Sequence, residues 1–134
     1  MRVLFSKKER NLSKNSIDHL YQYGTRIYGR SLILIWDYIE HPTIVPIQLL
    51  ITVPKKKIKK AVDRNYTKRI IREIYRLNKP KIHSLVPKPI EIIITYNKTS
   101  LPEFNKLKSE LLHLLNHDSF KKNETNTKNC DLYH

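Results

Sequence analysis

Hydrophobic residues first recur at helical spacing near the start of the chain. Residues 13–23 place Ile17, Leu20 and Tyr21 on one face of a helix, with polar residues between them. Gly24 follows directly, and glycine is a common residue just past the end of a helix. This pattern predicts a short first helix.

Two runs of branched and aromatic residues come next, at residues 31–38 and 47–53. Such runs are typical of strands, and Pro42 and Pro46 lie in the segment between them. Pro54 closes the second run. The pattern therefore predicts two strands joined by a loop.

The spacing becomes helical again over residues 61–77, and a further branched run covers residues 90–96. Pro87 and Pro89 stand between these two segments and separate them. The middle of the chain is therefore predicted to form a long helix followed by a strand.

A last helix is predicted after this strand. Ser100 and Glu103 match the spacing of a capping box. The residues that follow form an apolar stripe of Phe104, Leu107, Leu111, Leu114 and Leu115. Beyond the stripe, residues 119–134 are polar and are predicted to be disordered, so one domain is assigned to residues 1–118.

The long helix is predicted to have two unlike faces. At about 100° per residue, its apolar residues fall on one arc, which we expect to face the core: Val62, Tyr66, Ile70, Ile74 and Leu77. The opposite arc collects its polar and basic residues: Arg64, Asn65, Lys68, Arg69, Arg72 and Arg76. This second face is the most unusual feature of the chain.

The positive charge of the chain is concentrated in and around the long helix. The chain has 26 Lys and Arg against 12 Asp and Glu, a net charge of +14, and residues 55–81 alone hold twelve basic residues and two acidic ones. Such a surplus destabilises a compact protein unless salt or a polyanion screens it. An ordinary solvated helix face mixes both signs, so the expected partner is a nucleic acid or a membrane surface.

The basic row distinguishes these two partners. Arg64, Lys68, Arg72 and Arg76 recur every four residues and advance about 6 Å per step, close to the phosphate spacing of a nucleic-acid strand. Counterion release on binding phosphates would compensate the repulsion within the row. A membrane-binding helix would need for lipid the apolar face that this chain needs for its core. The pattern favours a nucleic acid.

Nucleotide-binding motifs are not supported. The chain has two glycines, Gly24 and Gly29, which excludes a three-glycine dinucleotide fingerprint. Residues 24–31 have the spacing of a phosphate loop, but a helical pattern precedes them and a strand-like run follows them, which is the reverse of the required context.

Self-sufficient catalysis and metal binding are also disfavoured. The carboxylates are few and scattered, so no catalytic residue is assigned. His113 and His117 have the spacing of two zinc ligands on a helix, but no third ligand has readable spacing, which leaves a surface pair as the better interpretation. Cys130 is the single cysteine and forms neither an intrachain disulfide nor a zinc site.

Cellular location is predicted from what the chain lacks. No apolar run approaches the 18 or so residues that span a bilayer, and charge begins at Lys7 before a signal-peptide core develops. The lone cysteine fits a reducing compartment. We expect a cytoplasmic protein without membrane contact.

One segment resembles a known family. Lys55 and Lys56, followed by the run Ala-Val-Asp-Arg-Asn-Tyr-Thr-Lys-Arg-Ile-Ile-Arg-Glu at residues 61–73, resemble the signature of the bacterial ribonuclease P protein subunit. Flanking features agree over residues 5–118, among them an arginine, Arg30, before the first long strand. The chain departs from the family pattern at Pro54 and in the turn that follows the lysine pair.

The resemblance implies an accessory protein for a catalytic RNA, which removes the 5′ leader of precursor tRNA in a reaction that needs Mg²⁺. No cofactor is expected on the protein itself, and no protein partner is predicted. The residues expected to contact the catalytic RNA lie on the long helix and in the lysine-rich segment before it: Lys55, Lys56, Lys60, Arg64, Asn65, Lys68, Arg69 and Arg72.

The resemblance also implies a cleft between the first helix and the sheet that holds the leader. Ile17, Tyr21 and Ile35 are the residues at the matching positions, and plain core packing of all three is the open alternative. Stacking on leader bases would depend mainly on Tyr21.

The implied fold is of the α+β class, with helices packed on a single small sheet and a left-handed βαβ crossover, although right-handed crossovers are the general rule. A structural or ribosome-associated RNA-binding protein is the alternative function. The Arg-Asn-x-x-Lys-Arg spacing at residues 64–69 favours the ribonuclease P subunit.

Overall fold

The computed structural model describes residues 12–39, 47–86 and 88–116. The elements are α1 (Lys14–Tyr23), β1 (Thr25–Tyr28), β2 (Leu32–Tyr38), β3 (Ile47–Thr52), α2 (Ala61–Leu77), α3 (Lys79–Leu85), β4 (Ile90–Tyr96) and α4 (Phe104–Leu115). The predicted tail at 119–134 lies outside the described residues, as do Lys7, His117 and Cys130.

Four strands form one sheet in the order β1-β2-β4-β3. β2 runs antiparallel to β1 and to β4, whereas β3 and β4 are parallel. The two strands predicted to follow each other along the chain are therefore not neighbours, because β4 lies between them. A parallel pair needs a crossover connection, and here α2 and α3 supply it. The predicted α+β class is confirmed; the hand of the crossover stays a prediction.

Helices cover both faces of the sheet. α2, α3 and α4 pack on one face around Leu34, Trp36 and Ile92. On the other face, α1 packs through Leu20 against Ile35 and Ile93. β4 lies between two strands and two helical layers, which explains why its alternation is replaced by a nearly continuous apolar run.

Two elements were not predicted. β1 has only Ile27 buried, so it carries no apolar alternation that could reveal a strand. α3 begins directly after α2, where the Asn78 side chain donates to the Ile74 carbonyl over 2.8 Å and ends the longer helix. Pro80, Pro87 and Pro89 make this segment of the sequence resemble a loop, so the helix was not predicted.

The predicted capping box of the last helix is wrong. α4 begins at Phe104 with Glu103 as its N-cap, and no side chain caps it. The carbonyl of Ser100 instead accepts a hydrogen bond from the Tyr96 hydroxyl over 2.7 Å. This contact ties residue 100 to the end of β4, so it does not start the helix.

The predicted core face of α2 is also wrong in part. Val62, Tyr66 and Leu77 are 77%, 41% and 55% exposed. Ile74 is buried as predicted and Ile70 packs against the core, but the centre of the buried face is formed by Thr67, Ile71, Ile74 and Tyr75. The helix is thus turned by about one residue, or 100°, from the predicted orientation.

Thr67 explains how this rotation is accommodated. Its side chain is fully buried, and its hydroxyl donates to the Asp63 carbonyl over 2.9 Å. A buried hydroxyl that is hydrogen-bonded within its own helix carries little penalty. Ile71 and Tyr75 can then fill the core beside it, which leaves Val62 and Tyr66 in solvent.

Candidate nucleic-acid interface

The outward face of α2 is built from polar and basic side chains. Asn65, Arg69 and Arg72 are exposed and Lys68 is half-buried. Among the residues that the structure describes, none of these four forms an ion pair with a carboxylate. The rotation of α2 thus leaves the positive charges of Lys68, Arg69 and Arg72 available to an external anion.

Arg64 has a different position from the other basic residues. It is half-buried, and its Nη1 atom donates to the carbonyls of Ile58 and Lys59 over 3.0 and 2.7 Å. Ile58 is in turn buried in the main core. One side of the guanidinium therefore fastens the preceding turn to α2.

The turn before α2 has a defined geometry. The carbonyl of Pro54 accepts hydrogen bonds from the amides of Lys57 and Ile58, at 3.0 and 3.1 Å. This arrangement leaves the side chains of Lys55, Lys56 and Lys60 exposed. They lie where α2 begins, so the positive end of the helix dipole adds to their charge.

Arg76, at the end of the predicted row, does not contribute equally. Its Nε atom donates to Glu73 Oε2 over 3.1 Å, and a second hydrogen bond joins the same two side chains. The hydrogen bond from Arg76 lowers the pKa of the Glu73 carboxyl below its usual range. The basic surface therefore extends from Lys55 to Arg72, and Arg76 is neutralised locally.

A cleft lies on the opposite side of the sheet, beside the C-terminal end of α1. The predicted residues Tyr21 and Ile35 both line it. Tyr21 is 46% exposed, whereas Ile35 is 4% exposed and packs against α1. The third predicted residue, Ile17, packs against the cluster under α1 and is not among the residues that line the cleft.

Other cleft residues were missed by the sequence analysis. The register pairs Arg26 with Ile35 and Tyr28 with Ile33, so all four share one face of the sheet. Ile33 could have been found, because it precedes Ile35 by two residues and therefore points the same way. Arg26 and Tyr28 lie on β1, which was not predicted.

Two of these missed residues bear on binding. Tyr28 is 69% exposed. Arg26 donates from Nη2 to the Tyr21 carbonyl over 2.8 Å, which holds a cation beside the end of α1. The cleft therefore combines two accessible aromatic rings, Tyr21 and Tyr28, with a fixed positive charge.

The acidic residues near the cleft are used to hold α1 on the sheet. Ser16 Oγ donates to Glu91 Oε1 over 2.8 Å, and His19 Nε2 lies 2.9 Å from Asp37 Oδ2. Within the described ranges, no group of three or more His, Cys, Asp or Glu side chains is arranged to hold a metal ion.

An α+β sandwich with a basic helix on one side and an aromatic cleft on the other defines a small nucleic-acid-binding protein. In the described part of the chain, no helix is long and apolar enough to cross a membrane. A family model described as "Ribonuclease P" matches residues 5–118. The chain belongs to the ribonuclease P protein family.

Individual relatives agree with this membership. The chain is 33% identical over 111 residues to the ribonuclease P protein component of Geotalea uraniireducens, covering 83% of this chain and 91% of that protein. With the same component of Chlorobaculum tepidum the identity is 41% over 69 residues, 49% of this chain and 45% of the relative.

Solved structures share the fold. The RNase P protein from Thermotoga maritima superposes with a TM-score of 0.66 at 25% identity, over 81% of this chain and 96% of that chain. The Staphylococcus aureus RNase P protein has a TM-score of 0.66 at 24% identity, over 81% of this chain and 94% of that chain.

Proposed function

We propose that this chain is the protein subunit of a bacterial ribonuclease P that matures the 5′ end of tRNA in the cytoplasm. In this role it binds the catalytic RNA through α2 and the preceding turn, and it holds the 5′ leader of precursor tRNA in the cleft beside α1. The observation that carries the proposal is the set of exposed polar groups on α2, Asn65, Arg69 and Arg72, which have no side-chain partner among the residues that the structure describes.

The α2 surface has the chemistry needed to grip folded RNA. Arg69 and Arg72 present guanidinium groups that can donate two hydrogen bonds to one phosphate, and Asn65 can both donate and accept. Lys55 and Lys56 extend the positive potential beyond the helix. Binding of this kind releases condensed counterions and weakens as salt rises.

The cleft suits a single strand of RNA. Unpaired bases expose flat faces that aromatic side chains can stack on, with a gain of about 1–3 kcal/mol per base. Tyr21 and Tyr28 supply such rings, and Arg26 supplies a charge for the backbone. A leader that extends from the tRNA is a single strand of this kind, whereas mature tRNA lacks it.

Hydrolysis is assigned to the RNA component, with Mg²⁺ supplying charge stabilisation there. Within the described ranges, no three His, Cys, Asp or Glu side chains cluster where they could hold the ion, and Asp37 and Glu91 instead contact side chains of α1. The contribution of this chain is to bind and orient the two RNAs.

A reconstitution assay tests the proposal. The purified chain is added to a bacterial ribonuclease P RNA at low Mg²⁺, and leader removal from precursor tRNA is followed. We expect the chain to rescue cleavage and to cleave nothing alone. Replacing Arg69 and Arg72 by alanine should abolish the rescue, whereas Lys106→Ala, which removes a charge paired with Glu103 on α4, should not.

Two outcomes would contradict the proposal. Cleavage by the chain without RNA would move the chemistry into the protein. RNA binding without rescue would favour the alternative of a structural or ribosome-associated RNA-binding protein.

A further inference from the structure

The basic face of α2 contains an apolar patch. Val62 and Tyr66 are one helical turn apart, so their side chains are neighbours, and both are exposed, at 77% and 41%. Asn65 precedes Tyr66 and Arg69 follows it by three residues, so the ring lies among the polar groups proposed to meet RNA. We call Val62 and Tyr66 the α2 patch.

Much of this patch is left open by the rest of the described protein, most of Val62 and about two fifths of Tyr66. Tyr66 makes no hydrogen bond and no ring contact within the ranges that the structure describes. Because the buried side of α2 is formed by Thr67, Ile71 and Tyr75, the patch cannot turn inward without exposing those residues. Its apolar surface is therefore available to a partner.

The surroundings of the patch identify the partner. A protein ligand of this surface would need carboxylates for Arg69 and Arg72 as well as an apolar group for Tyr66. RNA offers phosphates for the arginines and, at the same spacing, a flat base for the ring. In a duplex the bases are already stacked on one another, so the base that fits is unpaired, in a bulge or a loop.

We propose that Tyr66 stacks on an unpaired nucleobase of the catalytic RNA, with Val62 packing against the same nucleotide. The inference rests on the proposed function and adds a contact that reads RNA shape to a surface otherwise made of charge. Arg69 and Arg72, both C-terminal to Tyr66 on α2, bind phosphates of the same strand, and the ring selects the position along the strand where a base is free.

Affinity measured as a function of salt separates stacking from charge. Tyr66→Ala should weaken binding of the intact chain to the catalytic RNA by about 5- to 150-fold, the range of one lost stack, without changing the salt slope. Tyr66→Phe should bind within about twofold of the parent because it keeps the ring. Arg69→Ala should instead lower the slope by about one unit.

Leu77→Ala is the matched control. Leu77 is also apolar and exposed, at 55%, but it lies eleven residues further along α2, beyond Arg72. Its removal should leave affinity and salt slope unchanged. Thermal unfolding of each variant checks that the fold is retained, which is expected because Tyr66 and Leu77 are both partly in solvent.

The outcomes distinguish the inference from the function beneath it. Parent-like binding by Tyr66→Ala, together with a weakened Arg69→Ala, would overturn the stacking contact and leave the RNA interface intact. Equal losses for Tyr66→Ala and Tyr66→Phe would also overturn it, since the hydroxyl and not the ring would then be responsible. If Arg69→Ala also binds like the parent, α2 is not the interface and the proposed function fails with it.

Discussion

Arg64 illustrates how one residue can serve the fold and a binding surface together. Its Nη1 atom donates hydrogen bonds to the carbonyls of Ile58 and Lys59, so the side chain fixes the turn that carries Lys55 and Lys56. Arg69 has no such partner in the described protein. Two arginines of one motif therefore differ in role: Arg64 stabilises the fold, and Arg69 is exposed for binding.

Tyr21 is the residue whose role in the cleft can be tested alone. We expect Tyr21→Ala to weaken binding of precursor tRNA to the reconstituted ribonucleoprotein by about 5- to 150-fold, because one stacking ring is lost. Binding of mature tRNA should be unchanged, since it has no leader. Equilibrium binding of the two tRNAs measures the difference.

Tyr23→Ala is the control for Tyr21. Tyr23 lies on the same helix and is 67% exposed, but it contacts His19 and is not among the residues that line the cleft. Its replacement should affect neither tRNA. Equal losses for both tRNAs in Tyr21→Ala would show that this side chain supports the fold instead of the leader.

Among the elements, α1 depends on a close approach at its C-terminal end. The amide of Gly24 donates to the Leu20 carbonyl over 2.8 Å. A Cβ atom at Gly24 would lie 2.5 Å from that carbonyl oxygen and 2.7 Å from Ile35 Cγ2. The α1-β1 junction therefore has no room for a side chain.

Gly24→Ala should consequently lower the free energy of unfolding by about 1–3 kcal/mol, the usual cost of overpacking. Urea unfolding of the parent and variant gives the difference. A Gly24→Ala variant as stable as the parent would contradict this account.

The other elements show which parts of the fold are local. The span of α2, residues 61–77, is the one that the helical spacing predicts, because helix formation depends on residues a few positions apart. Its orientation was predicted about 100° away from the observed one, because apolar residues occur on both possible faces. Ile71 and Tyr75 face the core only because of tertiary packing, which includes contact between α2 and α4, an element distant in the chain.

For the whole molecule, charge couples stability and binding in opposite directions. A net charge of +14 makes the folded chain repel itself, and added salt screens that repulsion. The same salt weakens RNA binding, because each counterion released from the RNA gains less entropy when the bulk salt concentration is higher. One variable should therefore stabilise the free protein and destabilise its complex.

Raising NaCl from about 50 to 200 mM should increase the Tm of the free chain. About 1 kcal/mol of relief corresponds to a rise of about 4 °C for a domain of this size. Over the same range the affinity for RNA should fall, with a slope of about 0.7–0.9 per phosphate contacted. A Tm that does not respond to salt would show that the positive charges are too far apart to interact.

Part of the candidate site is formed by residues close together in the chain, and part by residues that only the fold brings together. The basic residues of α2 can be found in the sequence because they follow one another at helical spacing. Tyr28, Ile33 and Thr95, which line the cleft with Tyr21, come from β1, β2 and β4. Strand pairing brings them together, and no short sequence window contains them all.

The sequence by itself determined the helix and strand segments with strong periodicity, the concentration of positive charge at residues 55–81 and hence a polyanionic partner. These properties depend on residues close together in the chain and on its total charge, so they do not require tertiary contacts. The tertiary structure decided the strand order, the buried face of α2 and the composition of the cleft. Each of these depends on contacts between residues far apart in the chain, which compete for the same core.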